Sequence, residues 1–284
     1  MRIKTRHWFQ FFFLLPIACL AVSDASAAKL QQETVKAWNE YIRVAEARIS
    51  RELKSTEVFR AADHLDPETA RFCKESLSEG EICVLNMQES GNNDEVDIPD
   101  GKVHHWLGTA LIRGAKIGDV IEWVQNYDRH EDYYDDVEKS QLISRKGNFF
   151  RIFLRLKRKK VITVHYNTNH DVHYYPQGTG KLYSSSIATR IREIDNPGEA
   201  DEQEKPEGND NGFLWRLNSY WRFKQVDDGV IVDCESMSLS RSAPIAVKWM
   251  VKSYINSVPR ESLENALAPI REELAGTSEP LREP

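Results

Sequence analysis

The chain has 284 residues, 40% apolar, 29% charged and 10% aromatic, with 38 basic against 44 acidic side chains and a net charge of −6. A mean hydropathy of −0.56 excludes a polytopic membrane protein, and the apolar content excludes a disordered chain. The acidic balance argues against a dedicated nucleic-acid binder, whose phosphate affinity rests on clustered Lys and Arg.

Residues 1–27 read as a signal peptide: Arg2, Lys4 and Arg6 precede an apolar stretch, and Ala25-Ser26-Ala27 gives the small-residue cleavage pattern. Gln10 and Pro16 interrupt the stretch, which is too short for a spanning helix. The expectation is export, to a periplasmic or secreted location; a lipoprotein processed at Cys19 is the weaker alternative. Cleavage removes three basic groups and one acidic group, leaving 257 residues with 35 basic and 43 acidic side chains and a charge of −8. Cys73, Cys83 and Cys234 remain. In an oxidising compartment Cys73 and Cys83 could close a short disulfide loop; as small buried apolar residues they would serve without one.

Apolar positions at Val35, Trp38, Ile42, Ala45, Ile49 and Leu53 predict an amphipathic helix over 31–54. Asp66-Pro67-Glu68 supplies the N-cap and first turn of a second helix ending near Gly80. Strand-like runs follow at 82–87 and 103–112, then short helical patterns at 117–127 and 130–137. From Phe150 the period becomes two, with strands expected up to 156, over 161–175 and over 182–194, the last two joined by a Pro-Gly turn. Residues 195–212, rich in Glu, Asp, Pro and Gly, read as a mobile surface loop.

The alternation of Phe213, Trp215, Leu217, Trp221 and Phe223 predicts a strand with one aromatic face, interrupted only by Ser219. A two-residue turn, Asp227-Asp228 or Asp228-Gly229, would put Val230, Val232 and Cys234 on that face and set Asp233 and Glu235 against Arg222 and Lys224. A three-residue turn would reverse this. The chain ends in a helical pattern over 244–274, which Pro259 should kink or divide.

Chemical motifs are sparse. His165, His170, Asp171 and His173 invite a metal reading, but strand parity separates them, and His165 and His173 would lie about 26 Å apart at ~3.3 Å per residue. No metal site or cofactor is expected. Gly178-Thr179-Gly180-Lys181 lacks the spacing of a phosphate loop. The five basic groups in residues 155–160 could touch anionic headgroups transiently; a solvated strand edge is the alternative. Cys234 has no His in a dyad-like arrangement, and Asp135-Asp136 and Asp227-Asp228 suit turns.

His105-Trp106-Leu107-Gly108, the run Gly114 to Val120, Asn126-Tyr127-Asp128 and Tyr133 to Val137, with Trp221-Arg222-Phe223, Cys234 to Arg241 and the helix entered through Pro244, resemble START-like proteins of the SRPBCC superfamily. The resemblance covers residues 81–273. It implies an α+β helix-grip fold, a curved antiparallel sheet around a long C-terminal helix with an internal cavity, here following a 28–80 helical extension and preceding a 274–284 tail. It also implies binding, and conceivably transport, of a hydrophobic small molecule or lipid. On this reading Trp106, Trp215, Trp221, Phe223, Trp249 and Tyr254 approach the cavity, each with an ordinary core role as its alternative. Tyr166, Thr168 or His170 would steer a polar part of the ligand if the fold carried cyclase- or hydrolase-like chemistry. A third reading is an envelope interaction protein with a filled core. The helix at 31–54 and the 195–212 insertion lie outside the resemblance; the outer sheet face and the cavity mouth are their candidate places.

Overall fold

The computed structural model describes residues 28–55, 58–88, 97–159, 163–242 and 248–275, with 248–259 described by backbone alone. The leader read in residues 1–27 and the helix entry at Pro244 lie outside the described residues.

A two-residue strand β1 (Ala28–Lys29) leads into helix α1 (Gln32–Leu53), a 3-10 turn at Ala61–His64, and helix α2 (Pro67–Ser78). The Asp66 carboxylate caps α2 by accepting from the backbone N–H groups of Glu68 and Thr69 at 3.1 and 3.0 Å. Strands β2 (Cys83–Asn86) and β3 (Gly101–Arg113) follow, then α3 (Ile117–Gln125) and the short α4 (His130–Tyr133). A β-rich stretch comes next: β4 (Val137–Lys146), β5 (Phe149–Lys159), β6 (Thr163–Pro176), β7 (Lys181–Asp195), β8 (Gln203–Glu204), β9 (Asn209–Asp210), β10 (Arg216–Val226) and β11 (Gly229–Arg241). The last element, α5 (Lys248–Leu274), is one helix running through Pro259 rather than two.

Eight strands form an antiparallel sheet in the order β2-β3-β11-β10-β7-β6-β5-β4, and β8 adds to β7. The β10–β11 turn has two residues, Asp227 and Asp228, between the paired Val226 and Gly229. Gly229 has φ +144°, and a Cβ there would collide with the Ile112 carbonyl. This register pairs Trp221 with Cys234 and Phe223 with Val232. Arg222 stands opposite Asp233 as expected, but Glu235 opposes Tyr220 and Lys224 opposes Ile231, because each pair steps the partner back by two.

Strand alternation divides the interior into two layers. On one face Ala110, Ile112, Phe223, Val230, Val232 and Cys234 pack against Leu263, Leu267 and Ile270, whose spacing puts them on one side of α5. On the other, Val103, Tyr220, Met237 and Leu239 pack against Trp38, Tyr41, Ile42, Ala45 and Ile49 of α1. The result is a helix-grip architecture with a second long helix on its outer face. Cys73 of α2 and Cys83 of β2 are joined by a disulfide, their Cα atoms 5.2 Å apart.

Residues 196–210 lie along the sheet. Glu202 accepts from Arg155 at 2.9 and 2.7 Å, Arg190 pairs with Glu204, and Glu207 with Arg192 and Arg216. The acidic composition that reads as a solvated loop thus meets arginines on β5, β7 and β10. Lys205 reaches the buried Glu193 at 2.7 Å.

Candidate functional site

A hollow of about 230 Å³ lies between α5 and the sheet face it grips, walled on one side by α3, α4 and the turn into β4. Ile152, Leu154 and Leu156 of β5, Leu217, Trp221 and Phe223 of β10, and Leu263 and Ala266 of α5 give it an apolar body. Val124, Tyr127, His130 and Tyr134 close the side formed by α3 and α4.

Side-chain size explains where space remains. Gly108 lets α5 come down onto β3, since a Cβ there would stand 2.8 Å from Leu267 Cδ1. Farther across the sheet, Ser186, Ser219 and Ser236 are direct neighbours on β7, β10 and β11, forming a row of small residues under the hollow. Trp106, opposite Ser236 on β3, stands at the end of this row.

The polar groups around the hollow are tied to one another. The Tyr127 and Tyr174 hydroxyls are 2.5 Å apart, and Ser184 hydrogen-bonds to Tyr174. Burial raises both tyrosine pKa values. His130 Nε2 donates to the Val124 carbonyl at 3.0 Å. The Thr168 hydroxyl donates its one proton to the Leu154 carbonyl at 3.0 Å, so at 3.0 Å it accepts from His170 Nε2–H. His170 Nδ1 is then the acceptor facing the Ser186 hydroxyl at 3.5 Å. Burial lowers His130 and His170 to about 4, outweighing the Val124 hydrogen bond and the Asp171 charge respectively, so both rings are neutral at pH 7. At the rim Arg158 pairs with Asp136, which also accepts from Asn265 of α5 at 2.9 Å.

Among the residues singled out from sequence, Trp221, Phe223 and His170 line the hollow. Thr168 stands behind His170 as its acceptor. Tyr166 packs with Leu156, Val164 and Ile191 and is absent from the lining. Trp106 packs into the core beneath α5. Trp215 lies on the opposite face: β10 begins only at Arg216, so the alternation does not extend to it, and its indole packs with α1 and donates to Asp210 at 3.0 Å. The side chains of Trp249 and Tyr254 lie outside the described residues. Tyr127, His130 and Tyr134 have no local sequence signal because α3 and α4 are brought to the hollow by tertiary packing, and Tyr174 of β6 joins the site through its bond to Tyr127; the signal for the serine row is Ser219, breaking an otherwise apolar alternation. Of the basic run, Arg155 and Lys157 pair with Glu138.

A second buried polar cluster joins α1 to the outer face. His105 Nε2 donates to Glu235 at 2.6 Å, and Tyr41 Oη lies 2.7 Å from His105 Nδ1. Arg48 bridges Glu235 and Glu52, and Arg222 pairs with Glu52 at 2.5 Å. Burial alone would raise Glu235; the His105 hydrogen bond and the Arg48 charge bring it down to about 2. None of these residues lines the hollow.

No family model and no curated protein matches the chain. Solved structures do resemble it. A STAR-related lipid transfer protein fragment from Xanthomonas axonopodis is 18% identical with TM-score 0.44, covering 63% of this chain and 95% of that one. The Zhui aromatase/cyclase from Streptomyces sp. R1128 is 11% identical with TM-score 0.41, over 61% and 94%. A START superfamily protein from Mycobacterium smegmatis is 7% identical with TM-score 0.38, over 63% and 97%. The helix-grip fold itself stands on the strand order and the placement of α5 given above.

Proposed function

We propose that this is an exported binding protein that holds a hydrophobic small molecule between its sheet and its C-terminal helix. The observation that carries the reading is the hollow under α5, whose apolar walls and few oriented polar groups are what a small-molecule site needs. Space at that position favours binding over the filled-core interaction protein. On this reading residues 1–27 are a leader, 28–80 an extension and 81–273 the START-like domain. The Cys73–Cys83 disulfide suits an oxidising compartment. Any membrane contact during ligand exchange would be transient.

Cyclase- or hydrolase-like chemistry is the second reading, and the Ser186–His170 contact favours it. Binding is preferred because burial leaves His170 a weak base, near 4, and its Nε2–H is committed to a threonine rather than a carboxylate. The test is native mass spectrometry of the processed protein, purified without detergent from the compartment to which it is exported, together with uptake of N-phenyl-1-naphthylamine. A co-purified apolar compound displaced by the probe is expected; a bare protein that leaves the probe in water would end the proposal.

A further inference from the structure

Two serines under the hollow narrow the kind of molecule it takes, an inference that rests on the hollow being a ligand site. Ser219 and Ser236 are directly paired across β10 and β11, so their Cα atoms are about 4.5–5.5 Å apart and one ligand atom can reach both hydroxyls. Ser186 is engaged with His170 and Ser184 with Tyr174, whereas Ser219 and Ser236 have no hydrogen-bond partner among the described residues. Both residues are half-buried and line the hollow, so their hydroxyls are open to it and a ligand oxygen can meet them there.

Size gives a second limit. An apolar cavity of about 150 Å³ accommodates benzene, and drug-sized ligands occupy roughly 300–1,000 Å³. At about 230 Å³ the hollow falls between these, room for one or two rings. Charge gives a third. The histidines on its walls are neutral, and at the rim Arg158 is paired with Asp136 beside the exposed Asp135 carboxylate, so among the described residues the lining offers no free cation to an anionic group.

We propose that Ser219 and Ser236 form the polar anchor for an uncharged one- or two-ring molecule carrying a hydroxyl or carbonyl oxygen. Serine hydroxyls both donate and accept, so the pair takes either oxygen type. The apolar walls from β5, β10 and α5 hold the rings.

The test is isothermal titration of the processed protein with naphthalene, 2-naphthol and 2-naphthoate, plus an assay of phosphatidylcholine extraction from vesicles. 2-Naphthol should bind at least ten-fold tighter than naphthalene and tighter than 2-naphthoate, with no phosphatidylcholine extracted. Two neutral hydrogen bonds of about 0.5–1.5 kcal/mol each correspond to such a preference. In the Ser219→Ala/Ser236→Ala double variant the preference should fall below three-fold while naphthalene binding is kept, which also shows that the variant is folded. Equal binding of naphthol and naphthalene, or a preference the double variant retains, overturns the anchor. Extraction of phosphatidylcholine without naphthol binding overturns the ligand class. In each of these cases the hollow remains an apolar site. Binding of none of the probes overturns the anchor together with the binding reading on which it stands.

Discussion

Leu267 of α5 lies directly on Gly108 of β3, with 2.8 Å between its Cδ1 and the place a Cβ would occupy. Leu267 is fully buried, so its methyl group has little room to swing away. This contact sets how deeply the C-terminal helix sits in the sheet, and with it the height of the hollow beyond.

Gly108→Ala should therefore be destabilising although alanine is the better residue for a strand. Overpacking in a dense core costs about 1–3 kcal/mol, and Gly108→Val should cost more. Urea unfolding checks the size, and hydrogen exchange of α5 checks the place: faster exchange confined to α5 and β3 is expected. An alanine variant as stable as the parent would show that the helix rides on other contacts.

Acid should weaken the fold from an unusually high pH. Burial lowers His104, His130 and His170 from 6.5 to about 4, assisted at His104 by Lys102. Between those values the unfolded chain binds protons that the folded chain refuses, so stability falls as pH drops from about 6.5 towards 4 and is unaffected above. Three such groups give a slope approaching roughly 4 kcal/mol per pH unit. Urea midpoints at pH 7, 6 and 5 test this; a flat profile would contradict it. Glu235, held at about 2, adds its own loss only below the ordinary carboxylate range of about 4.5.

The β10–β11 hairpin is legible in sequence because of its alternation and the Val226-Asp227-Asp228-Gly229 turn signal, while the choice of Asp227 and Asp228 as the two loop residues comes from the pairing of Val226 with Gly229. The same period misleads at Trp215, one residue outside the strand. β4 carries no alternation to read: it is the sheet edge, and Ser140 is its only buried residue. Trp221, Phe223 and His170 can be placed at the site by parity, whereas Tyr127 and His130 reach it only through the packing of α3 and α4. Gln225 contributes to that packing, accepting from Ile117 N–H at 2.7 Å and donating to the Ala115 carbonyl at 3.2 Å, and nothing local announces such a contact.

The Cys73–Cys83 bridge closes a loop of 10 residues in sequence separation, for which chain entropy gives about 2–3 kcal/mol. Cys73→Ser/Cys83→Ser should lose that amount, and the parent should lose it only under reductant. Under denaturing, non-reducing conditions the processed protein should expose one thiol, the buried Cys234. Three titratable thiols would show that the bridge does not form in the protein.

The charges under α1 should matter far more than those on its surface. Glu235 is 2% exposed and meets both His105 and Arg48, whereas the Glu40–Arg43 pair on the solvent side of α1 is about half exposed. Glu235→Gln removes the charge but keeps the shape, leaving the buried Arg48 to share Glu52 with Arg222. Breaking a buried pair in this way costs about 3–5 kcal/mol, while an exposed pair contributes ~0–1 kcal/mol. Glu40→Gln should then be nearly neutral and Glu235→Gln strongly destabilising. Hydrogen exchange separates local from global effects: if α1 is held to the sheet by this cluster, its amides in Glu235→Gln should exchange faster than those of β10 and β11. Equal, small effects of the two substitutions would mean that the apolar contacts of Trp38, Ile42 and Ile49 hold the helix alone.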